Sequence, residues 1–211
     1  MLIDHIFVTH SHLDHICSIP FLVDTVGGMR NKPLTVYAIE PTLEIIRNHV
    51  FNWSIWPDFT QIPTPSKPFM RYEALTLGET VEIKGRKITS LPANHVVPAV
   101  GFQLDSGAAS LVFTGDTTTH DPLWAVVNKI ANLRYLIIEV AFCNRERDLA
   151  LTAKHFCPSL LAEELTKLER SADIFITHLK PGEIELTMQE VEDCAGQHKP
   201  RMLQNNQVFE F

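Results

Sequence analysis

The chain has 211 residues, 45% hydrophobic and 20% charged, a composition typical of a soluble globular protein with room for one substantial core but not two. Its net charge of −7 argues against long-range attraction to nucleic acid, although it leaves room for a local basic patch. We find no apolar run long enough to cross a bilayer and no secretory signal. The four cysteines are scattered, as is typical of reduced thiols, so we expect a cytoplasmic protein.

Short apolar runs alternate with amphipathic stretches at the start of the chain. They predict strands over 3–9 and 34–38, helices over 16–26 and 41–52, and a loop with four prolines over 57–68. Strand candidates separated by glycine turns follow, at 74–77, 80–83, 86–91, 99–104 and 110–114.

The second half returns to alternating helices and strands. Helices are predicted over 121–132, 158–170 and 187–196, and strands over 134–140, 173–177 and 207–211. The last helix is predicted to begin at a capping box, Thr187-Met-Gln-Glu190. Because we find no internal repeat and no linker, we expect one α+β domain over residues 1–211.

Four metal-type side chains lie within six residues directly after the first predicted strand, in His10-Ser-His12-Leu-Asp14-His15. Imidazole nitrogens and carboxylate oxygens are ligands that divalent zinc, manganese and iron accept. Where a strand ends, alternate side chains such as His10 and His12 point to one side. The next ligand residues, Asp14 and His15, then point to a neighbouring position, so one loop can hold two metal ions. A histidine-rich surface loop is the simpler alternative, but this spacing favours the metal site.

Three more ligand-type residues, His95, Asp116 and His178, each follow a later predicted strand. Gly115 allows a sharp backbone turn that presents the Asp116 carboxylate. Each residue alone also fits an ordinary core or surface position. Ligand types on several loops of one scaffold are typical of a functional site, so together with the first motif they predict a shared metal centre.

The order His-x-His-x-Asp-His, His, Gly-Asp and Thr-His resembles the metallo-β-lactamase superfamily over residues 1–182. The resemblance implies a four-layer αββα sandwich with two divalent metal ions at the joint edge of its sheets, zinc being expected and manganese or iron the alternatives. It implies that one metal is held by His10, His12 and His95, the other by Asp14, His15 and His178, and that Asp116 bridges them.

Four stretches, 9–16, 92–101, 113–117 and 155–165, are similar to class II 3′,5′-cyclic-nucleotide phosphodiesterases. This similarity implies that the small-molecule partner is cyclic AMP or cyclic GMP, hydrolysed to the 5′-monophosphate by a hydroxide held between the metals. The last stretch is the most discriminating, because thiol-ester hydrolases and lactamases lack it.

The 155–165 stretch also resembles the helix start that carries a functional histidine in ribonuclease Z. By that resemblance His155 is the candidate general acid for the departing 3′-oxygen, or a donor to a phosphoryl oxygen, and Glu139 is the residue that orients it. Asp14 completes the catalytic candidates. A solvent-exposed histidine at a helix entry is the alternative for His155.

Two groups of residues are weaker substrate candidates. An aromatic flap that stacks on a purine is one possibility for Phe51, Trp53, Trp56 and Phe59, although burial in the core is favoured. For Arg145 and Arg147, contact with a phosphate group of the substrate is a second possibility, although exposure of both side chains to solvent is favoured.

In the superfamily several strands precede the first metal motif, whereas here the motif begins at His10. A start codon assigned too far downstream, a fragment and a trimmed fold are the three explanations. We expect the chain as given to lack the first β strands and to have an uncovered sheet edge, which favours aggregation or a homodimer. A ribonuclease Z-like RNA 3′-processing nuclease is an alternative function, but it needs a basic channel or long arm, for which the short 96–115 interval has no room. A truncated, non-catalytic metal-binding protein is a second alternative, against which the retained ligands argue.

Overall fold

The computed structural model describes residues 3–211, and the chain divides into two compact units. Among the described residues, the N-terminal unit comprises those up to Thr76 together with Val97–Ala99, and the C-terminal unit comprises Leu77–Val96 with Val100–Phe211. The expectation of one domain over residues 1–211 stays a prediction. Among the described residues, no helix has both the length and the apolar character needed to span a membrane.

The N-terminal unit is built on a three-stranded parallel sheet in the order β1-β2-β5. Its strands are β1 (His5–Phe7), β2 (Leu34–Ile39), β3 (Pro63–Thr64), β4 (Lys67–Pro68) and β5 (Met70–Leu75), and its helices are α1 (Leu13–Ile16), α2 (Ser18–Val26) and α3 (Glu40–His49). The central strand β2 is buried on both faces, as its unbroken apolar run requires. The core of this unit includes Val23, Val36, Ile46 and Met70.

Two predictions for this unit need correction. The predicted helix over 16–26 corresponds to α2, which begins two residues later and is preceded by the unpredicted short helix α1, and Pro20 is tolerated because it lies in the first turn of α2. The predicted proline-rich loop contains a short antiparallel hairpin, in which β3 pairs with β4.

The C-terminal unit is built on a seven-stranded sheet in the order β12-β11-β10-β9-β8-β7-β6. Its strands are β6 (Thr80–Ile83), β7 (Arg86–Pro92), β8 (Val100–Asp105), β9 (Ser110–Phe113), β10 (Leu133–Glu139), β11 (Asp173–Thr177) and β12 (Arg201–Met202). Its helices are α4 (Asp121–Val127), α5 (Arg147–Ala153), α6 (Pro158–Leu165) and α7 (Ile184–Ala195). Strands β6 to β9 form an antiparallel meander, and β9 to β12 run parallel.

Two predictions near the C-terminus are wrong. Helix α7 begins at Ile184, so Thr187 is a buried residue inside the helix and not its N-cap. The last strand is β12, not residues 207–211; instead Phe209 packs its ring against Tyr135 and Phe175, with centroids 5.0 and 4.9 Å away. Aromatic burial therefore holds this segment without strand pairing.

Candidate metal centre

The first ligand motif lies at the carboxyl end of β1 in the N-terminal unit. His10 is completely buried, and its ring centroid lies 4.7 Å from that of His12 and 4.1 Å from that of His15. The Thr9 hydroxyl lies 3.1 Å from Nδ1 of His10 and so orients the ring. The structure thus gathers three imidazoles from six consecutive residues.

The backbone conformation changes within this short loop. His12 is extended, with φ −61° and ψ 146°, and is the N-cap of α1, whereas Asp14 and His15 lie within that helix. His15 Nε2 lies 3.5 Å from Asp14 Oδ2. That the Asp14–His15 pair serves a second metal ion stays a prediction.

In the C-terminal unit, His95, Asp116 and His178 follow the ends of β7, β9 and β11. Gly115 has φ 60°, and His178 itself has φ 63°, in the left-handed region that non-glycine residues rarely adopt. Such a conformation costs on the order of 1 kcal/mol and is typical of functional sites. His178 Nε2 lies 3.4 Å from Asp116 Oδ2, so the strained turn brings this imidazole to the carboxylate.

A backbone carbonyl defines the tautomer of His95. Nδ1 of His95 lies 3.1 Å from the carbonyl oxygen of Lys154, which can only accept, so Nδ1 carries the proton. The lone pair of a neutral His95 ring is then on Nε2, as a metal ligand requires. Lys154 Nζ donates to the His95 carbonyl oxygen at 3.1 Å. Sequence reasoning missed Lys154, which the left-handed end of α5 positions.

His155 and Glu139 form a buried pair in the same unit. His155 Nδ1 lies 2.6 Å from Glu139 Oε1, and the N–H groups of Thr117 and Phe156 donate to the same carboxylate at 3.1 and 3.2 Å. Burial and the negative charge of Asp116 raise the pKa of Glu139 well above its usual value, and the two backbone donors act in the opposite direction. His155 is buried, so the alternative of a solvent-exposed histidine is wrong.

The donor set of each unit fits a divalent cation. The ligand atoms of Asp116, His155 and His178 all lie within 4.8 Å of one another, as do those of His95 and Asp116. The N-terminal unit brings the ligand atoms of His10 and His12 within the same distance. Imidazole nitrogens beside carboxylate oxygens suit zinc, manganese and iron. That the seven predicted ligands share one pair of cations stays a prediction.

The weaker substrate-binding candidates lie in different environments. Phe51 and Phe59 are buried in the core of the N-terminal unit, so the flap interpretation is wrong for these two. Trp53 is 63% exposed. Arg145 and Arg147 pair with surface glutamates, Glu183 at 2.6 Å and Glu163 at 3.1 Å.

A family model described as the beta-lactamase superfamily domain matches residues 2–179. The chain belongs to the metallo-β-lactamase superfamily. Its mixed α/β structure matches metallo-β-lactamase fold proteins, so the predicted fold is confirmed. The crystal structure of unliganded yeast PDE1 is one match, with a TM-score of 0.81 and 20% identity, covering 95% of this chain and 66% of that chain. At that identity the likeness shows the fold alone.

Two curated relatives of this superfamily member carry functional names. A probable 3′,5′-cyclic-nucleotide phosphodiesterase of Yersinia pestis is 27% identical over 203 residues, which cover 85% of this chain and 57% of the relative. A ribonuclease Z of Methanocaldococcus jannaschii is 30% identical over 103 residues, 48% of this chain and 31% of the relative. The chain thus spans less than two thirds of the length of either.

Proposed function

We propose that this superfamily member is a metal-dependent phosphodiesterase that hydrolyses 3′,5′-cyclic nucleotides to 5′-monophosphates. The observation that carries the proposal is the buried His155–Glu139 pair, whose imidazole lies within 4.8 Å of the ligand atoms of Asp116 and His178. A proton donor next to metal ligands suits cleavage of a phosphate ester whose leaving alkoxide needs a proton. The similarity to the Yersinia pestis relative supports a cyclic nucleotide as substrate.

In this proposal the enzyme would use two divalent cations, with zinc as the first expectation. His10, His12 and His95 would hold one cation, Asp14, His15 and His178 would hold the other, and Asp116 would be a ligand of both. When bound, the cations supply Lewis acidity, which lowers the pKa of coordinated water and offsets negative charge on phosphoryl oxygens.

The protein's own residues supply the proton and its placement. Glu139 holds Nδ1 of His155, so Nε2 is the atom that delivers a proton to the 3′-oxygen as the bond from phosphorus to that oxygen breaks. A water molecule adds to phosphorus in line with the departing oxygen and releases one proton to solvent, and the ring opens as the bond from phosphorus to the 3′-oxygen breaks. His178 stacks on the His155 ring, with centroids 5.2 Å apart and planes 16° apart, and limits its rotation.

A ribonuclease Z-like activity is the second candidate, because the Methanocaldococcus jannaschii relative matches about half of the chain. Two observations weigh against it. The 96–115 interval holds β8 and β9, joined by a tight turn in which Ser106 N donates to Ala109 O, so a long RNA-binding arm has no room there. The net charge of −7 also disfavours binding of a folded RNA.

The test compares hydrolysis of 3′,5′-cyclic AMP, 2′,3′-cyclic AMP, bis(p-nitrophenyl) phosphate and precursor tRNA by metal-loaded protein. We expect 3′,5′-cyclic AMP to have the highest kcat/KM. Asp116→Ala should abolish turnover without reducing soluble yield, whereas Asp173→Ala, which removes an exposed aspartate, should leave turnover unchanged. Preference for precursor tRNA, or equal turnover by the two variants, would overturn the proposal.

A further inference from the structure

The N-terminal unit contains a cleft of about 740 Å³ with a basic rim. Its cationic lining residues are Arg30, Lys32, Lys67 and Arg71, and no acidic residue lines it among residues 3–211. The cleft lies where α2 leads into β2, at the amino end of the parallel β1–β2 pair, whereas the His10–His15 loop follows the carboxyl end of β1. It is therefore separate from the metal-ligand loop of this unit.

Arg30 is the most informative residue of the cleft, because its side chain is only 4% exposed. Its Nη2 contacts Asp4 Oδ1, and its Nε donates to the Lys32 carbonyl oxygen at 3.3 Å. Its Nη1 is buried and has no hydrogen-bond partner within the described part of the chain. A buried charged group is costly unless it is held by acceptors, so the contacts with Asp4 and the Lys32 carbonyl fix the guanidinium in the wall of the cleft.

The charges around the cleft do not cancel. Asp4 accepts from Arg30 and, at 2.7 Å, from Lys32 Nζ, and Glu73 lies 3.7 Å from Arg71 Nε. Four lining cations against these two carboxylates leave an excess of two positive charges, in a chain whose net charge is −7. Local positive charge against an acidic background attracts a small anion specifically to this place.

One wall of the cleft is apolar, formed by Phe69 with Pro33, Pro63 and Pro68. Gly27 lies against the Phe69 ring so closely that a Cβ there would be 2.7 Å from Cγ of Phe69. The glycine thus lets the ring lie directly on the backbone. A basic rim facing an aromatic wall suits a ligand with an anionic end and a flat apolar body.

We propose that this cleft binds a phosphorylated small molecule of nucleotide size. The phosphoryl groups lie among Arg30, Lys32, Lys67 and Arg71, and the body of the ligand packs on Phe69. The site is independent of the proposed phosphodiesterase centre.

Calorimetric titration of the full chain with adenosine 5′-diphosphate tests the proposal. We expect saturable binding that is the same in Asp116→Ala, and that is weakened about tenfold or more by Lys67→Ala combined with Arg71→Ala. Both residues are exposed, but Arg71 Nε donates to the buried Thr35 hydroxyl at 2.9 Å, so the midpoint of thermal unfolding is measured to check that the fold is retained. The matched control is Lys87→Ala, which removes an exposed lysine of β7 and should leave binding unchanged.

Two comparator ligands test whether both the basic rim and the apolar wall of the cleft contribute to binding. Adenosine and inorganic phosphate should each bind more weakly than the diphosphate, because each reaches only one part of the cleft. Adenosine binding as tight as that of the diphosphate, binding unaffected by the double substitution, or no saturable binding would overturn the proposal. Loss of binding in Asp116→Ala would place the ligand at the metal centre and also overturn it. Failure of cyclic AMP hydrolysis with binding retained would overturn only the phosphodiesterase proposal.

Discussion

Nδ1 of His155 lies 2.6 Å from Oε1 of Glu139, and the Glu139 side chain is completely buried at the end of β10. The same carboxylate accepts hydrogen bonds from the N–H groups of Thr117, in the loop after β9, and Phe156, before α6. One acidic group therefore joins three segments. Because the backbone donors fix the carboxylate, the carboxylate in turn fixes the imidazole, with its Nε2 facing away from Glu139.

Glu139→Gln keeps the shape of this group and replaces one carboxylate oxygen with an amide NH2. We expect kcat for 3′,5′-cyclic AMP to fall about 10- to 100-fold, with bound metal unchanged, because the His155 ring loses the carboxyl partner that orients it. Steady-state kinetics and elemental analysis of the same preparation measure both quantities.

The matched control for that substitution is Glu164→Gln, since Glu164 is the other buried glutamate among the described residues. Its Oε2 accepts from Trp124 Nε1 at 2.6 Å. We expect this control to lower the free energy of unfolding and leave kcat unchanged. Equal losses of kcat in the two variants would mean that Glu139 acts only through stability.

His155→Asn tests the role of the imidazole itself. We expect kcat to fall about 10²- to 10⁴-fold with 3′,5′-cyclic AMP, whose leaving alkoxide needs a proton. With bis(p-nitrophenyl) phosphate the loss should be much smaller, because p-nitrophenolate leaves without one. Equal losses with both substrates would instead favour a hydrogen bond from His155 to a phosphoryl oxygen.

The positions of the candidate ligands could be predicted because local sequence determines them. His95, Asp116 and His178 each directly follow an apolar run, and such runs become buried strands. Since β9, β10 and β11 run parallel, their carboxyl ends reach the same edge of the sheet. The position of a ligand along the chain thus predicts its place in the fold.

Contacts between distant segments could not be predicted in this way. The hydrogen bond from His95 Nδ1 to the Lys154 carbonyl joins residues 59 positions apart, and a backbone carbonyl leaves no mark in the sequence. The Thr187 pattern has the residue types of a capping box, but α7 already begins at Ile184, and Thr187 is buried. Local patterns fail where tertiary packing decides a boundary.

Gly101→Ala probes the close approach of β8 to β9. A Cβ at Gly101 would lie 2.8 Å from the Phe113 carbonyl oxygen and 2.9 Å from that of Thr114, and neither backbone group can move freely. We expect a loss of about 1–3 kcal/mol in the free energy of unfolding, measured by urea denaturation. Gly28→Ala is the control, since a Cβ there meets nothing within 4 Å. A stable Gly101→Ala variant would show that the two strands can separate slightly.

Asp4→Asn should make stability depend less on pH. Hydrogen bonds from Lys32 and Arg30 lower the pKa of Asp4 from 3.8 to about 2. A lowered carboxyl pKa contributes stability that is fully present above about pH 4 and is lost as the pH falls towards 2. The unfolding midpoint of Asp4→Asn should therefore lie below that of the unsubstituted protein at pH 7, and the gap should narrow between pH 4 and pH 3. Because Lys32 is the largest cause of the shift, the gap should also shrink in a Lys32→Ala background, and an unchanged gap there would contradict the assignment.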